Sequence, residues 1–497
     1  MLAAPALLYL ILRIRGMAPP QLPDPSMHTT FIIAPHDIFT RYAAVFTPTA
    51  RLREAARVGF LVPARLTYLL FGAVPGFFVF RYVLVLVAIV PAYLLARRLY
   101  GRWAGVLAIV VIISSPVLIT AWGTDYPDSA AASYLTGSLA ALALSCLPGR
   151  FRHGWVLLGG VLFTLAVWSH AVSVPLVAAA LIVLLVIRVA DDRPHLLSDL
   201  GSLAGVTILV SGLLAVCSKL LLGQFDFVTP TIVAERFLST PAQERLWHSA
   251  SWAWAPYDAY LLVPPAILAA FLVVFFRRPR PVPMATLFLG LCGALQLALF
   301  TYLQFFANVQ TLEMHFLSSP LWSSTNLLLA LVLAETARPM VVSRSVGWLP
   351  ALLALAVGVV YGSLHLRIPA MTWSPWGAGL VLVIAGAALA GRLASATHPG
   401  SAGQLRYRSH APLSGLAISA TALIVLIGAT LVLTVAPRRA HAALANTVYD
   451  PPPAYATALG GNGGYYLDQY LVTSRVPMFV GPPAYAGEQL LTWWPPA

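Results

Sequence analysis

The residues best suited to chemistry lie in one short stretch, Trp122-Gly123-Thr124-Asp125-Tyr126-Pro127-Asp128-Ser129. It holds two carboxylates, and long apolar runs flank it on both sides. A charged side chain at the centre of a bilayer costs at least ~2.5 kcal/mol, so such a pair belongs at a membrane face or in a wet cavity. The stretch reads as a turn between two transmembrane helices, with Asp125 and Asp128 at the mouth of a polar site. Other candidates are Asp24 and Asp37, which share a proline-rich early loop with His28 and His36. Arg81 opens an apolar run as Phe80-Arg81-Tyr82, His170 follows Ser169, and Glu313 and His315 flank Met314. A carboxylate can take the proton of an attacking hydroxyl, a guanidinium can grip a phosphate with two hydrogen bonds, and an imidazole can contact sugar or phosphate.

Each of these residues also has a plainer reading. Asp24 can open an Asp-Pro turn, Asp125 can cap the helix after it, and Arg81 can snorkel to lipid headgroups. His170, Glu313 and His315 can be satisfied polar groups at the interface. The two histidines and two aspartates of the early loop have the donor types of a divalent-cation site, but their spacing matches no metal pattern. No metal ligand is assigned, and a divalent cation is left open. Trp247, Trp252, Trp254 and Tyr257 read first as an interfacial aromatic belt.

The elements that position these groups follow from composition. Of 497 residues, 59% are hydrophobic and only 9% charged, against about 25% charged in a soluble domain. The chain is therefore an all-α polytopic membrane protein, since helical spans need apolar runs of ~20 residues whereas barrel strands alternate over ~10. The net charge of +13 would suggest nucleic acid in a soluble protein. Here the arginines sit in short loops, so topology and anionic lipid explain them and no nucleic acid is expected. Cys146, Cys217 and Cys292 lie in apolar runs and read as inert thiols.

Residues 2–12 are apolar but fall short of a span, as a truncated first helix or a late start would. No basic segment precedes them as in a signal peptide. The external loop 17–76 follows, and within it residues 59–71 read as an amphipathic, interfacial helix broken by Pro63, with Arg65 on its polar side. Candidate spans are 77–96, 103–122, 127–147, 155–170, 172–188, 201–222, 259–276, 284–306, 320–336, 347–364, 376–391 and 413–436. With the N-terminal segment they make a bundle of about thirteen, at ~20 residues each. The arginine-rich loops between them, including 150–153 and 188–193, read as topology signals that face the cytoplasm. The Asp125/Asp128 turn, the His170 turn and the 307–319 loop then face outward. Residues 1–436 form the transmembrane module. Residues 437–497 read as a small extracytoplasmic tail, or as a fragment of a larger domain.

The order of short motifs resembles a known family. Pro23-Asp24-Pro25 in the first external loop precedes an interfacial helix ending in Phe71-Gly72. Phe80-Arg81-Tyr82 opens the next span, which ends Arg97-Arg98-Leu99-Tyr100-Gly101. Ser115-Pro116 closes the third, and Tyr126-Pro127-Asp128 follows. Over residues 20–150 this is similar to the GT-C glycosyltransferases, in the branch of protein O-mannosyltransferases and lipid A aminoarabinose transferases. The resemblance implies a polyprenyl-phosphate-linked sugar donor and a glycan, lipid or protein acceptor of the cell envelope. It also implies membrane lipids as surroundings and inverting transfer at the extracytoplasmic face of the cell membrane. By position it makes Asp24 the general base, with Asp37 as competitor, and makes Asp128 with Asp125 a second acidic site orienting acceptor or cation. Arg81, His170, Glu313, His315 and Asp37 become candidate substrate-binding residues. A transporter or flippase of lipid-linked saccharide is the alternative; it calls for broken helices and midspan charges, whereas these acidic residues gather at loop ends.

Overall fold

The computed structural model describes residue 32 and residues 57–115, 118, 121–122, 127–191, 193–222, 230, 263–276, 281–305 and 320–342. Every described element is helical. The first three helices are α1 (Val58–Phe71), α2 (Ala73–Tyr100) and α3 (Arg102–Ser114). Glycine separates them. Gly72 has φ 84° and Gly101 φ 94°, in the left-handed region that other residues avoid. Each donates its N–H to the helix it ends, to the carbonyls of Tyr68 and Arg97. The chain continues as α4 (Pro127–Ser145), α5 (Arg152–Ser169), α6 (Ser173–Asp191) and α7 (Arg193–Leu222). It resumes as α8 (Val263–Phe276), α9 (Met284–Phe305) and α10 (Leu321–Val342).

Each expected span from 77–96 through 320–336 overlaps a described helix; residues 116–117, 119–120, 259–262 and 306 of those spans lie outside the described residues. Among the described residues, four helices are long and apolar enough to cross a membrane: Val79–Tyr100, Ser173–Asp191, Pro194–Leu220 and Met284–Leu303. The protein is thus an integral membrane protein. The expected spans 347–364, 376–391 and 413–436, the N-terminal segment and the tail lie outside the described residues.

Three expectations are corrected. First, Pro63 does not break α1, which runs unbroken for 14 residues. The missing N–H costs one backbone bond, and the flanking turns hold. Nor does α1 show a polar outer side, since its exposed face carries Leu66, Leu69, Leu70 and Phe71. Arg65 instead donates to the Ile32 carbonyl at 2.9 Å. Second, the helix expected over 103–122 is interrupted: it ends at Ser114, Ser115 is extended at φ −63°, ψ 118°, and helical backbone returns at 118 and 121–122. Pro116 follows, and the residue before a proline is pushed out of the helical region. Third, the helices reach further into the arginine-rich turns than the apolar runs suggest. Only residue 192 separates α6 from α7.

The core is built around α4. All of its 19 residues are buried, under α2, α5, α6, α9 and α10, which pack against it. Its sequence is mostly Ala, Ser, Leu and Gly, and small residues let helix backbones approach closely in a membrane. Gly137 shows this, since a Cβ there would lie 2.5 Å from the Val87 carbonyl oxygen of α2. Ser138 donates to the Gly159 carbonyl of α5 at 2.6 Å.

Candidate active site

Asp128 is the second residue of α4, in the first turn, where the exposed N–H groups favour negative charge. It is buried, 1% exposed. Its partner comes from the turn between α5 and α6. His170 ends α5 in extended backbone at φ −150°. Its Nε2 stands 3.5 Å from Asp128 Oδ1. The other ring nitrogen, Nδ1, accepts the Val172 N–H at 3.2 Å. An imidazole that accepts at Nδ1 carries its proton on Nε2, so the neutral ring turns its N–H toward the carboxylate. The positive charge of Arg57, itself buried, also acts on Asp128. Among the described residues no side chain completes a well-formed hydrogen bond to either carboxylate oxygen.

Arg81 reaches the same helix by another route. It is fully buried, which rules out snorkelling to headgroups. Its Nε donates to the Trp122 carbonyl at 3.3 Å, and Trp122 Nε1 donates to Ser133 Oγ of α4 at 2.8 Å. Ser133 is five residues beyond Asp128, about 7.5 Å along the axis. Asp128, His170 and Arg81 therefore converge on the first turns of α4, the first two in direct contact. Asp24, Asp37, Asp125, Glu313 and His315 lie outside the described residues. Among the described residues no three His, Cys, Asp or Glu side chains gather as a metal site, and the three cysteines are free.

The opposite end of α4 carries a cluster that the loop reading missed. Asp199 of α7 is held by Arg152 at 2.7 Å and by Arg188 at 2.9 Å. Arg188 also donates to the carbonyl and hydroxyl oxygens of Ser145, the last residue of α4. These two arginines are therefore structural ties, not topology signals alone. The signal for them was Asp199 itself, an unexplained carboxylate near the start of an apolar run. Sequence reasoning also passed over Gln296 and Asn326, two amides within apolar helices that are fully buried.

This helical bundle, with a carboxylate–imidazole pair at one end of its central helix, can be compared with known proteins. Residues 59–217 match the family described as dolichyl-phosphate-mannose-protein mannosyltransferase. The match makes this segment similar to that family. It covers less than half of the chain but runs from α1 to α7, and it contains Arg81, Asp128 and His170. It begins later than the expected 20–150 and extends further, so Asp24 and Asp37 fall outside it. The fold resembles a crystal structure of ArnT from Cupriavidus metallidurans bound to undecaprenyl phosphate. The TM-score is 0.52 at 14% identity, over 90% of this chain and 78% of that one. An apo structure of the same ArnT aligns with a TM-score of 0.43 at 16% identity, over 79% of this chain and 69% of that one. A comparison with curated protein sequences finds no match.

Proposed function

We propose that this protein moves a sugar from a polyprenyl-phosphate-linked donor to a cell-envelope acceptor, with inversion, at the extracytoplasmic end of the bundle. The observation that carries the reading is the buried Asp128–His170 contact within the family-matched segment. In the transfer the acceptor oxygen forms a bond to the anomeric carbon while the bond from that carbon to the phosphate oxygen breaks. The polyprenyl phosphate leaves with the bonding pair, and the acceptor proton passes to a carboxylate. Asp24 of the first loop is the general base. Asp128, steadied by His170 and Arg57, orients the acceptor, and the Arg81 guanidinium adds positive charge near the phosphate. Asp125, Asp37, Glu313 and His315 complete the polar lining around donor and acceptor.

The test is transfer from a synthetic polyprenyl-phosphate sugar by purified protein in lipid. Asp24→Asn and Asp128→Asn should each lower kcat by about 10²–10⁴, the size of a lost general-base or equivalent positioning contribution. Full transfer by Asp24→Asn removes the base assignment. A wild type that carries the lipid-linked sugar across vesicles and makes no glycoside overturns the enzyme reading in favour of a flippase.

A further inference from the structure

Two amides beneath the Asp128–His170 pair have unmet hydrogen-bonding capacity. Gln296 of α9 is fully buried. Its Nε2 reaches the Leu176 carbonyl of α6 at 3.4 Å, while its Oε1 has no partner among the described residues. Asn326 of α10 is also fully buried, and neither Oδ1 nor Nδ2 has a partner among the described residues. The Ser173 hydroxyl, buried on the same stretch of α6, has none either. Inside a bilayer no bulk water meets such groups, and an amide left without bonds in an apolar setting costs several kcal/mol. Native proteins rarely leave that cost unanswered, so each such group asks for an occupant.

Their place in the bundle is set by named contacts. Ser323 Oγ of α10 donates to the Ala132 carbonyl at 3.0 Å. Ala132 is one turn beyond Asp128, and Asn326 is one turn beyond Ser323. On the other side, Ser173 donates its N–H to the His170 carbonyl at 2.9 Å, and Leu176, which Gln296 touches, is the next turn of α6. Both amides therefore lie one to two turns inward from the pair, on the helices that pack against α4.

The chemistry narrows the occupant. An apolar lipid tail satisfies no amide. A phosphate wants cations, and the arginines here stand elsewhere, Arg57 acting on Asp128 and Arg81 on the Trp122 carbonyl. A primary amide offers one acceptor and two donors without charge, which suits hydroxyl groups, each both donor and acceptor. Polar contacts made only to hold helices together would appear already paired, and Asn326 is not.

We propose that Gln296 and Asn326 form the floor of the site and bind the hydroxyls of a neutral glycosyl group on the donor. The inference rests on the glycosyl-transfer reading above. The test uses full-length protein in nanodiscs, with three probes: undecaprenyl phosphate alone, the same lipid carrying a neutral hexose, and the same lipid carrying an aminopentose. Wild type should bind the neutral-hexose lipid more tightly than the bare lipid or the aminopentose lipid. Gln296→Leu and Asn326→Leu, nearly isosteric, should each weaken neutral-hexose binding about tenfold, from the loss of one or two hydrogen bonds. Binding of the bare lipid should stay at the wild-type value, and the Tm should hold or rise, because each leucine removes an unmatched amide. Gln296→Ala and Asn326→Ala serve as a second pair should a leucine disturb packing.

Unchanged neutral-hexose affinity in the variants overturns the proposal. So does equal loss for the bare lipid, and so does a wild type that prefers the aminopentose. A wild type that makes glycoside while the variants bind as it does refutes only the floor. A wild type that binds no polyprenyl phosphate and makes no glycoside removes the transfer reading beneath it as well.

Discussion

The Arg152–Asp199–Arg188 cluster gives an ordering of stabilities. Asp199 is the single negative charge between two guanidiniums, with a side chain only 5% exposed. In Asp199→Asn the buried Arg188 and the half-buried Arg152 lose the negative charge that joins them. Breaking a buried pair from one side costs about 3–5 kcal/mol, and here two contacts fail together. Arg188→Met leaves Asp199 paired with Arg152, so the charge loss is partial. The Ser145 carbonyl and hydroxyl lose their donor as well, and the total is about 1–3 kcal/mol. Arg152 has an 18% exposed side chain and one bond to the carboxylate, so Arg152→Met should cost about 1 kcal/mol or less. The triple variant Arg152→Met, Asp199→Leu, Arg188→Met should recover much of the loss, because a buried ion cluster replaced whole by apolar side chains is often neutral. Thermal unfolding of protein in a fixed detergent reads the order as Tm. Since Ser145 lies about 25 Å along α4 from Asp128, sugar transfer below the unfolding temperature should hold near wild type in Arg152→Met. A Tm for Asp199→Asn at or above that of Arg152→Met, or a triple variant worse than Asp199→Asn, refutes the reasoning.

Two further outcomes follow from the packing and the pair. Gly137→Leu should destabilise by at least about 1–3 kcal/mol, because even its Cβ would meet the Val87 carbonyl at 2.5 Å; a wild-type Tm would show that α2 and α4 can separate freely. His170→Phe should cut transfer about 10- to 100-fold with a small change in Tm, while His170→Gln, which can keep a donor toward Asp128, should retain more; equal rates in the two variants would show that the ring's N–H does not matter.

Much of this was legible in the residues. Apolar runs of span length gave the helices, and Gly72 and Gly101 fall where one helix yields to the next. Asp128 and His170 stood out because ionisable groups beside apolar runs are costly to place. Their contact was not legible, since it joins two turns separated by a whole span and its return. Pro63 misled because a proline in the first turns of a well-packed helix removes one bond without stopping it. Arg188 misled because charge near a helix end looks the same whether it meets water or a carboxylate from the next helix. Gln296 and Asn326 were silent for a related reason: one amide barely lowers the hydropathy of a twenty-residue window.

The helix that matters most is also the one whose composition argues least loudly for a span. Among the described residues, α4 is not one of the four helices apolar enough to be recognised as crossing the membrane, although it is 19 residues long and buried throughout. The two facts have one cause. A helix walled in by α2, α5, α6, α9 and α10 meets little lipid, so it needs no large apolar side chains and can use Ala, Ser and Gly for close packing. The same enclosure lets it carry a carboxylate, because a partner imidazole and a neighbouring guanidinium come from the surrounding helices instead of from water. Low hydropathy in a span of full length is thus a signal of centrality. In this bundle it marks the element whose first turn holds Asp128 and whose last residue is tied to Arg188, so that the carboxylate is positioned by a helix fixed at both of its ends.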